Sequence, residues 1–291
     1  PMMRSMFAAI SGLKTHQIMM DVTANDISNV NTIGYKASRT TFKDSLSQLQ
    51  RGGAGQGPGQ GGSNPAQVGL GTQVGSIDTM MSSGALQSTG QALDVAIQGD
   101  GWFRIGQATI AAGPPPTTTL TAGTQQYTRA GNFDRNDQGY LVTADGYYVI
   151  GRTVPSTTVT ATPPGADTLI SIPAGATSVA IAEDGSVSYL PSGSTTRTIA
   201  GYISLAKFAN ENGLQRASGN RWTANAASGT EQLGTPGGDF GKTTSGTLEM
   251  SNVDLATEFT NMISAQRGFQ ANSRVISTAD DMLNDLVNLK R

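Results

Sequence analysis

The sequence predicts an α+β protein in which N- and C-terminal helices pair as a coiled coil and flank a central antiparallel β domain. Three observations support this fold class: a stripe of apolar residues near the N terminus, a seven-residue apolar repeat near the C terminus, and Asp-Gly turns between them. They predict an N-terminal helix at 1–33, an extended Gly-rich arm at 34–75, a β-rich domain at 76–245 and a C-terminal helix at 246–291.

The N-terminal helix is predicted from apolar residues that recur at alternating steps of three and four. This spacing places them along one narrow stripe of the helix surface. The helix is expected to end between Asn29 and Gly34, because Asn and Gly favour turns over helix. The stripe supplies the candidate interface residues Met6, Ile10, Leu13, Met20 and Ile27.

The arm that follows is predicted from its composition. The stretch RGGAGQGPGQGGSNPAQVGLG at 51–71 is too rich in Gly for a helix and has few apolar residues to bury. We therefore expect an extended arm or loop in this part of the chain.

The β-rich domain is predicted from Asp-Gly dipeptides that separate apolar, β-branched or aromatic segments. They occur at 100–101, 145–146 and 184–185. Asp-Gly between such segments is a strong hairpin signal, because the turn requires positive φ angles. The sequence thus predicts three hairpins within one antiparallel domain.

The C-terminal helix is predicted from large apolar residues at strict seven-residue intervals. The pattern Ser-x-x-Asp at 251–254 marks its start, since it places a cap and a carboxylate at the positive end of the helix dipole. A second row contains Ala265 and Ala279 and is interrupted by Asn272. The sustained repeat implies partner helices alongside. The first row supplies the candidate interface residues Leu255, Met262, Phe269, Ile276 and Leu283.

Composition and charge exclude several classes of function. The net charge is -2 and no Lys/Arg cluster is present, so nucleic acid is not expected as a partner. The absence of cysteine excludes disulfides and thiolate chemistry. No stretch is long and apolar enough to span a bilayer, and the first residues do not form a cleavable secretory signal.

The residue types that could carry catalysis or metal binding have simpler explanations. His16 is the single histidine and is expected to be solvated or at an interface, because no motif supplies catalytic partners. The segment Asp134–Asp145 loosely copies a calcium loop, but no helices flank it and a hairpin is preferred. We therefore expect no catalytic residues, no metal and no cofactor.

Four segments of the chain have distinctive sequences. They are SGLKTHQIMMDVTANDISNVNTIGYKASR (11–39), LDVAIQGDGWFRI (93–105), YTRAGNFDRNDQGYLVTADGYYVIG (127–151) and GTLEMSNVDLATEFTNMISAQRGFQANSRVISTADDMLNDLVNL (246–289). In the first, a helix end of the form Asn-x-Ile-x-Asn-Val is followed by Thr-x-Gly and an aromatic residue. In this order the segments resemble the flagellar hook and rod protein family, and the match at Ser11–Arg39 is specific. Asp26 and Ser28 depart from the Asn and Ala usual in the family.

The resemblance implies a subunit that self-assembles into a helical tube, with the terminal helices in the inner tube and the β-rich domain outside. QRGFQANSR at 266–274 is similar to the hook version, so the sequence favours a hook subunit, which forms a curved tube that transmits torque and conducts exported subunits. A distal rod subunit, which forms a straight shaft, is the alternative. A secreted carbohydrate-active β protein, with Trp102 and Trp222 at its site, is a second alternative.

The resemblance also implies partners and a location. They are further copies of the chain, rod and hook–filament junction proteins, and the hook cap and export apparatus during assembly. The expected location is extracellular, in the bacterial flagellum, reached without a cleavable signal peptide.

Overall fold

A computed structural model of the chain describes residues 2–53, 55, 61–111, 117–121, 123–153 and 167–288. The chain divides into two compact units. The helical unit consists of Pro1–Ser28, Ala37–Met80 and Val253–Arg291, and the β-rich unit consists of Asn29–Lys36 and Met81–Asn252.

The helical unit contains both long helices and two antiparallel strand pairs. The helices are α1 (Met2–Ser28) and α2 (Leu255–Asn288). The strands are β1 (Ser38–Asp44), β2 (Ser47–Arg51), β3 (Ala66–Gly69) and β4 (Thr72–Thr79). β1 pairs with β4, and β2 pairs with β3 inside that ribbon.

The segment predicted as an extended arm at 34–75 therefore contains regular strands. In β4 the half-buried Val74 and Ser76 alternate with the exposed Gln73, Gly75 and Ile77, which suits a two-stranded ribbon with one face against a helix. Residues 54 and 56–60, in the Gly-rich centre of the predicted arm, lie outside the described residues.

Helix α1 ends at Ser28, as the Asn- and Gly-rich sequence predicts. The chain then turns through Gly34, whose φ is 65°. A Cβ atom at this position would lie 2.7 Å from the backbone of Arg129 and Ala130. Both the left-handed conformation and the close approach require glycine.

The β-rich unit is built almost entirely from short antiparallel strands. The strands are β5 (Leu86–Ser88), β6 (Val95–Gln98), β7 (Trp102–Gly106), β8 (Ala108–Ala111), β9 (Thr117–Leu120), β10 (Gln126–Thr128), β11 (Phe133–Arg135), β12 (Leu141–Thr143), β13 (Tyr148–Arg152), β14 (Asp167–Leu169), β15 (Ser178–Ile181), β16 (Ser186–Leu190), β17 (Thr198–Ile203), β18 (Leu205–Lys207), β19 (Gln215–Ala217), β20 (Arg221–Thr223), β21 (Gln232–Gly234), β22 (Lys242–Ser245) and β23 (Thr247–Glu249). Among the described residues, most of these strands join one thirteen-stranded sheet, whose main path runs β15-β16-β17-β13-β7-β10-β20-β19.

Two of the three predicted hairpins are confirmed. β12 pairs with β13 across Asp145-Gly146, and β15 pairs with β16 across Asp184-Gly185. The hairpin predicted at Asp100-Gly101 is wrong, because β6 pairs with β22 and not with β7. β7 is buried along its whole length and has partners on both sides, with β10 on one side and β13 and β18 on the other, so it offers no free edge to β6.

The core of the β-rich unit consists of two apolar clusters. The larger gathers β-branched and aromatic side chains from β6, β7, β13, β16 and β17, including Ile97, Phe103, Val149, Val187 and Ile203. The smaller surrounds Trp102 and Trp222. All residues of both clusters belong to the β-rich unit, so this unit has a hydrophobic core of its own.

The predicted fold class is confirmed at the level of its elements. An N-terminal and a C-terminal helix flank a central β-rich region. Within the described part of the chain, no helix combines the length and the apolar character needed to cross a membrane.

Candidate functional site

The two helices pack antiparallel to each other through small residues. A Cβ atom on Gly12 would lie 2.6 Å from the side-chain nitrogen of Asn272, and one on Gly268 would lie 2.5 Å from the His16 ring. Ala265 and Ala279 are fully buried in α2. Close approach of two helices requires such small side chains at the contact.

The large residues of the predicted rows lie beside this contact. Ile10, Leu255 and Phe269 are exposed in the single chain, and Met20 and Met262 are partly buried. The remaining predicted residues, Met6, Leu13, Ile27, Ile276 and Leu283, are partly buried as well. Their role as an interface between copies of the chain stays a prediction.

A groove runs along one side of the helix contact. Its volume is about 430 Å³. Met20, Met262 and Phe269 line it with large apolar side chains, and Asp21 adds a carboxylate. The other lining residues are Gln17, Ala24 and Gln266.

Further large apolar side chains are exposed on both helices, and neither predicted row includes them. They are Phe7 and Ile18 on α1 and Phe259, Ile263, Val275, Met282 and Val287 on α2. Phe259 and Ile263 lie one turn apart on α2, and exposed apolar side chains that form a patch mark interaction surfaces in soluble proteins.

The strand ribbon is fastened to α1 by polar contacts. The Thr72 amide donates to Ser11 Oγ over 3.1 Å, and the Ser38 amide donates to Asp26 Oδ2 over 2.9 Å. Asp26 is fully buried. The Asp that departs from the family pattern thus accepts a backbone hydrogen bond where the chain enters β1.

Helix α2 begins with Asp254 as its cap. Asp254 Oδ1 accepts from the Ala256 amide over 3.0 Å, and Oδ2 accepts from the Thr257 hydroxyl over 2.7 Å. The Thr257 hydroxyl bond, followed by the Ala256 amide, holds the pKa of Asp254 below its usual value. The predicted start signal spans 251–254, and its last residue, Asp254, serves as the N-cap. An Asp at this position accepts hydrogen bonds from the free amides of the first helical turn.

Glu258 has the opposite shift. Burial raises its pKa above the usual value, and the nearby charges of Asp26 and Asp254 raise it further, while a hydrogen bond with Asn261 opposes them. The ionised form of Glu258 is therefore disfavoured in the folded helical unit.

Glu258→Gln is expected to stabilise the helical unit near neutral pH. The pKa of Glu258 is higher in the folded chain than in the unfolded chain. Its contribution to the free energy of unfolding is therefore fully present below the unfolded pKa and is lost as the pH rises through the folded pKa. Glutamine resembles the protonated form at every pH. The difference in melting temperature from wild type, followed by far-UV circular dichroism, should be small near about pH 3 and positive near about pH 7. A variant that melts below wild type at neutral pH would contradict this.

A buried ionic cluster lies in the β-rich unit, at the two segments next to the helices in sequence. Lys36 Nζ lies 2.7 Å from Glu249 Oε1, with both side chains fully buried. Arg129 contacts the other carboxylate oxygen at 3.4 Å, and the Gly84 amide donates to Oε1 over 3.0 Å. Burial lowers the pKa of Lys36, although Glu249 opposes this shift.

The segment Asn29–Lys36 has further contacts with the strands. The Gly34 amide donates to the Glu249 carbonyl over 2.7 Å, and the Arg216 guanidinium lies 4.7 Å from the Tyr35 ring centre. Asn220 donates to the Ile33 carbonyl. The sequence signature Thr-x-Gly-aromatic-Lys therefore anchors this segment to the strands, a role that the predicted interface residues do not include.

Trp102 and Trp222 do not form a sugar site. Trp102 is 0% exposed and Trp222 is 1% exposed. Their rings pack edge to face at 5.6 Å, and Arg216 covers Trp222. Stacking on a sugar needs an exposed ring face, so neither tryptophan can bind a sugar in this way. The carbohydrate-binding site predicted at these two residues is therefore wrong.

The segment Asp134–Asp145, which loosely copies a calcium loop, is the segment for which a hairpin is expected. Asp134 lies in β11, which pairs with β12, so the segment forms the preferred hairpin. Across the described ranges, no group of three or more His, Cys, Asp or Glu side chains is positioned to hold a metal ion.

Models of three family segments match the chain. The N-terminal model, described as flagella basal body rod protein, matches residues 6–36. The central model, described as flagellar hook protein FlgE/F/G D1 domain, matches residues 117–189. The flagellar basal body rod FlgEFG protein C-terminal model matches residues 244–289.

Full-length similarity decides the family. The flagellar basal-body rod protein FlgG of Bacillus subtilis is 44% identical over 292 residues, which is 100% of both chains. The chain belongs to the flagellar hook and basal-body rod protein family. The FlgG protein of Caulobacter vibrioides is 38% identical over 97% of each chain. This family is structural, so the chain is a structural protein of the flagellum and not an enzyme.

Similarity to a hook protein is more limited. The flagellar hook protein FlgE of Borreliella burgdorferi is 42% identical over 151 residues, which is 52% of this chain and 31% of that protein. The rod alternative is therefore better supported than the hook interpretation favoured by the stretch at 266–274.

Proposed function

We propose that the chain is a subunit of the distal rod of the bacterial flagellum, and that it polymerises into a straight, stiff tube. The observation that carries this proposal is the 44% identity to a basal-body rod protein along the whole chain. A match over every segment, including the helices and the strand ribbon, supports a shared architecture and not just a shared module.

The surface of the helix pair supports self-assembly. Small residues bring α1 and α2 together, and this leaves large apolar side chains such as Phe259, Ile263 and Phe269 facing outward. Burial of apolar area stabilises association by about 25 cal/mol per Å². Copies of the chain that cover one another's helices gain this free energy at every contact.

The arrangement of the polymer is proposed from the same features. The helices at 1–33 and 246–291 form the inner wall as a coiled coil, the segment at 34–75 connects it outward, and the β-rich domain at 76–245 forms the outer layer. The seven-residue repeat of α2 supports the coiled coil. Contacts between unlike faces extend as an open helix and do not close into a dimer.

The proposed partners follow from the place of a rod. Further copies of the chain form the shaft, and other rod proteins and the hook meet its ends. We also propose that the subunit leaves the cytoplasm through the flagellar export apparatus.

A hook subunit is the second candidate. The 42% identity to a hook protein over 151 residues favours it. On that interpretation the polymer is curved, and its further partners are hook–filament junction proteins and the hook cap.

Electron microscopy of polymers grown from the purified chain separates the two candidates. We expect straight tubes for a rod subunit. Uniformly curved tubes would replace the rod proposal by the hook, and the absence of any polymer under conditions that keep the chain folded would contradict both.

A further inference from the structure

A pocket in the β-rich unit combines carboxylates with apolar side chains. Its volume is about 630 Å³, and Asp94 and Asp134 are the charged residues among the described side chains that line it. Leu93, Phe133 and Val179 line it as well. The pocket therefore suits a partner that brings a cation together with an apolar group.

The two carboxylates of the pocket are held in place by neutral donors. The Thr89 hydroxyl donates to Asp94 Oδ2 over 2.5 Å, and the Arg135 amide donates to Asp134 Oδ1 over 2.7 Å. Neither carboxylate forms an ion pair within the part of the chain that the structure describes. Asp134 is exposed, so its negative charge can meet a cation from another molecule.

The strands β15, β16 and β17 carry such a cation next to an exposed apolar side chain. Arg197, which directly precedes β17, donates from Nη1 to Ser188 Oγ over 3.2 Å and from Nη2 to Ser178 Oγ over 3.1 Å. These two hydrogen bonds hold the guanidinium against the sheet, and no ion pair of Arg197 occurs among the described residues. Ile199, two residues further along, is 54% exposed.

Arg197 and the pocket lie on opposite faces of these strands. Side chains alternate between the two faces along a strand, and directly paired residues share a face. Val179 lines the pocket and packs against the larger apolar cluster, so it points to the core side. Its neighbour Ser178 points to the other side, together with Ser188 and Arg197, and Ile199 pairs with Ser188 there. One copy can therefore use both surfaces at once.

We propose that Arg197 of one copy enters the pocket of the next copy and pairs with Asp134, with Ile199 against the apolar lining. This inference rests on the proposed self-assembly and specifies a contact between the β-rich units. Because the two surfaces differ, the contact is heterologous and repeats from copy to copy. A guanidinium offers several N–H donors in one plane, so Arg197 can bind a carboxylate while it keeps its bonds to the serines.

Charge reversal tests the pairing. Arg197→Asp brings a further carboxylate to the pocket, and Asp134→Arg brings two guanidinium groups together. Each single variant is expected to need about tenfold more protein to polymerise, which corresponds to about 1.4 kcal/mol per contact. The double variant restores the opposite charges and should polymerise at close to the wild-type concentration. Lys242→Asp, at an exposed position outside both surfaces, is the matched control and should polymerise like the wild type.

A mixture of the two single variants separates contact between copies from folding within one copy. The carboxylate of the Arg197→Asp variant would meet the guanidinium in the pocket of the Asp134→Arg variant, and Arg197 of the latter would meet the unchanged Asp134 of the former. An equal mixture should therefore co-polymerise at concentrations where neither variant polymerises alone. A misfolded variant would not be rescued by mixing. Sedimentation at low salt, where charge pairs are least screened, measures all samples.

The outcomes separate this inference from the proposed function. Rescue in the double variant and in the mixture supports the pairing of Arg197 with Asp134. Single variants that sediment like the wild type, or a double variant that stays as impaired as the singles, would overturn the pairing and leave self-assembly intact. Equal impairment of Lys242→Asp would also overturn it, because a general effect of charge would then explain the loss. A wild-type chain that never polymerises would overturn the proposed function itself.

Discussion

Glu249→Gln is expected to lower the free energy of unfolding of the β-rich unit by about 3–5 kcal/mol, the usual cost of removing one partner of a buried ion pair. The loss is large because the Lys36 ammonium, fully buried at 2.7 Å from Glu249, would remain without its counter-charge. Arg129 would lose its contact with the same carboxylate. Urea unfolding followed by tryptophan fluorescence measures the change, since Trp102 and Trp222 lie in the core of this unit.

Glu183→Gln is the matched control. Glu183 also pairs with a lysine, Lys242, at 3.4 Å, but the two side chains are 76% and 67% exposed. Exposed pairs contribute about 0–1 kcal/mol, so this variant should unfold close to wild type. If both variants lose the same small amount, the buried cluster does not stabilise the fold as described.

The difference in free energy of unfolding between the wild type and Glu249→Gln should become smaller as the pH rises. Burial already lowers the pKa of Lys36, and removal of the opposing charge lowers it further. The unfolded chain then binds more protons than the folded chain, so stability increases with pH through the folded pKa of Lys36. A deficit that grows with pH would point to a different cause.

Phe269→Asp is expected to abolish polymerisation and to leave the β-rich unit folded. Phe269 lines the groove and is 36% exposed in the single chain, so its loss costs a monomer little. In a polymer the ring would be covered, and loss of a buried aromatic costs about 3 kcal/mol. Burial of an unpaired carboxylate in its place adds a further penalty. The two costs recur at every contact along the tube.

Gln270→Asp controls for the added charge. Gln270 is adjacent in sequence, exposed and absent from the groove. This variant should sediment as polymer at nearly the wild-type concentration. Thermal melts of both monomers establish that each is folded. If Phe269→Asp sediments like wild type, the groove is not part of the assembly surface.

Local signals in the sequence predict much of this fold. Asn and Gly after Ser28 end α1, and the Asp-Gly turns at 145–146 and 184–185 form hairpins, because a few neighbouring residues determine each feature. The turn at 100–101 fails because the partners of β7 come from distant strands. Pairing with residues far along the chain overrides a local hairpin signal.

The helix contact shows a second limit of sequence reasoning. Large apolar residues at seven-residue intervals predict the row that contains Phe269, but the contact between the helices uses Ala265, Asn272 and Ala279 of the second row, together with Gly12 and Gly268. Large residues are favoured inside coiled coils, whereas small ones permit a shorter distance between helix axes. The seven-residue spacing of 265, 272 and 279 was the available signal.

The anchor at Lys36 and Glu249 could not be predicted from spacing. The two residues lie 213 positions apart and belong to different elements. Their pairing depends on the completed sheet. The choice between hook and rod likewise depended on similarity over the whole chain, because a stretch of nine residues at 266–274 resembles one class while the full length matches the other.

Electron cryomicroscopy with helical reconstruction of the polymer formed by the purified chain would show where α1, α2 and the β-rich unit lie in the tube. We expect a straight tube whose lumen is lined by α1 and α2, with Phe269 of each copy covered by a neighbouring copy. A tube in which the β-rich units form the inner wall, or in which Phe269 faces solvent, would contradict it.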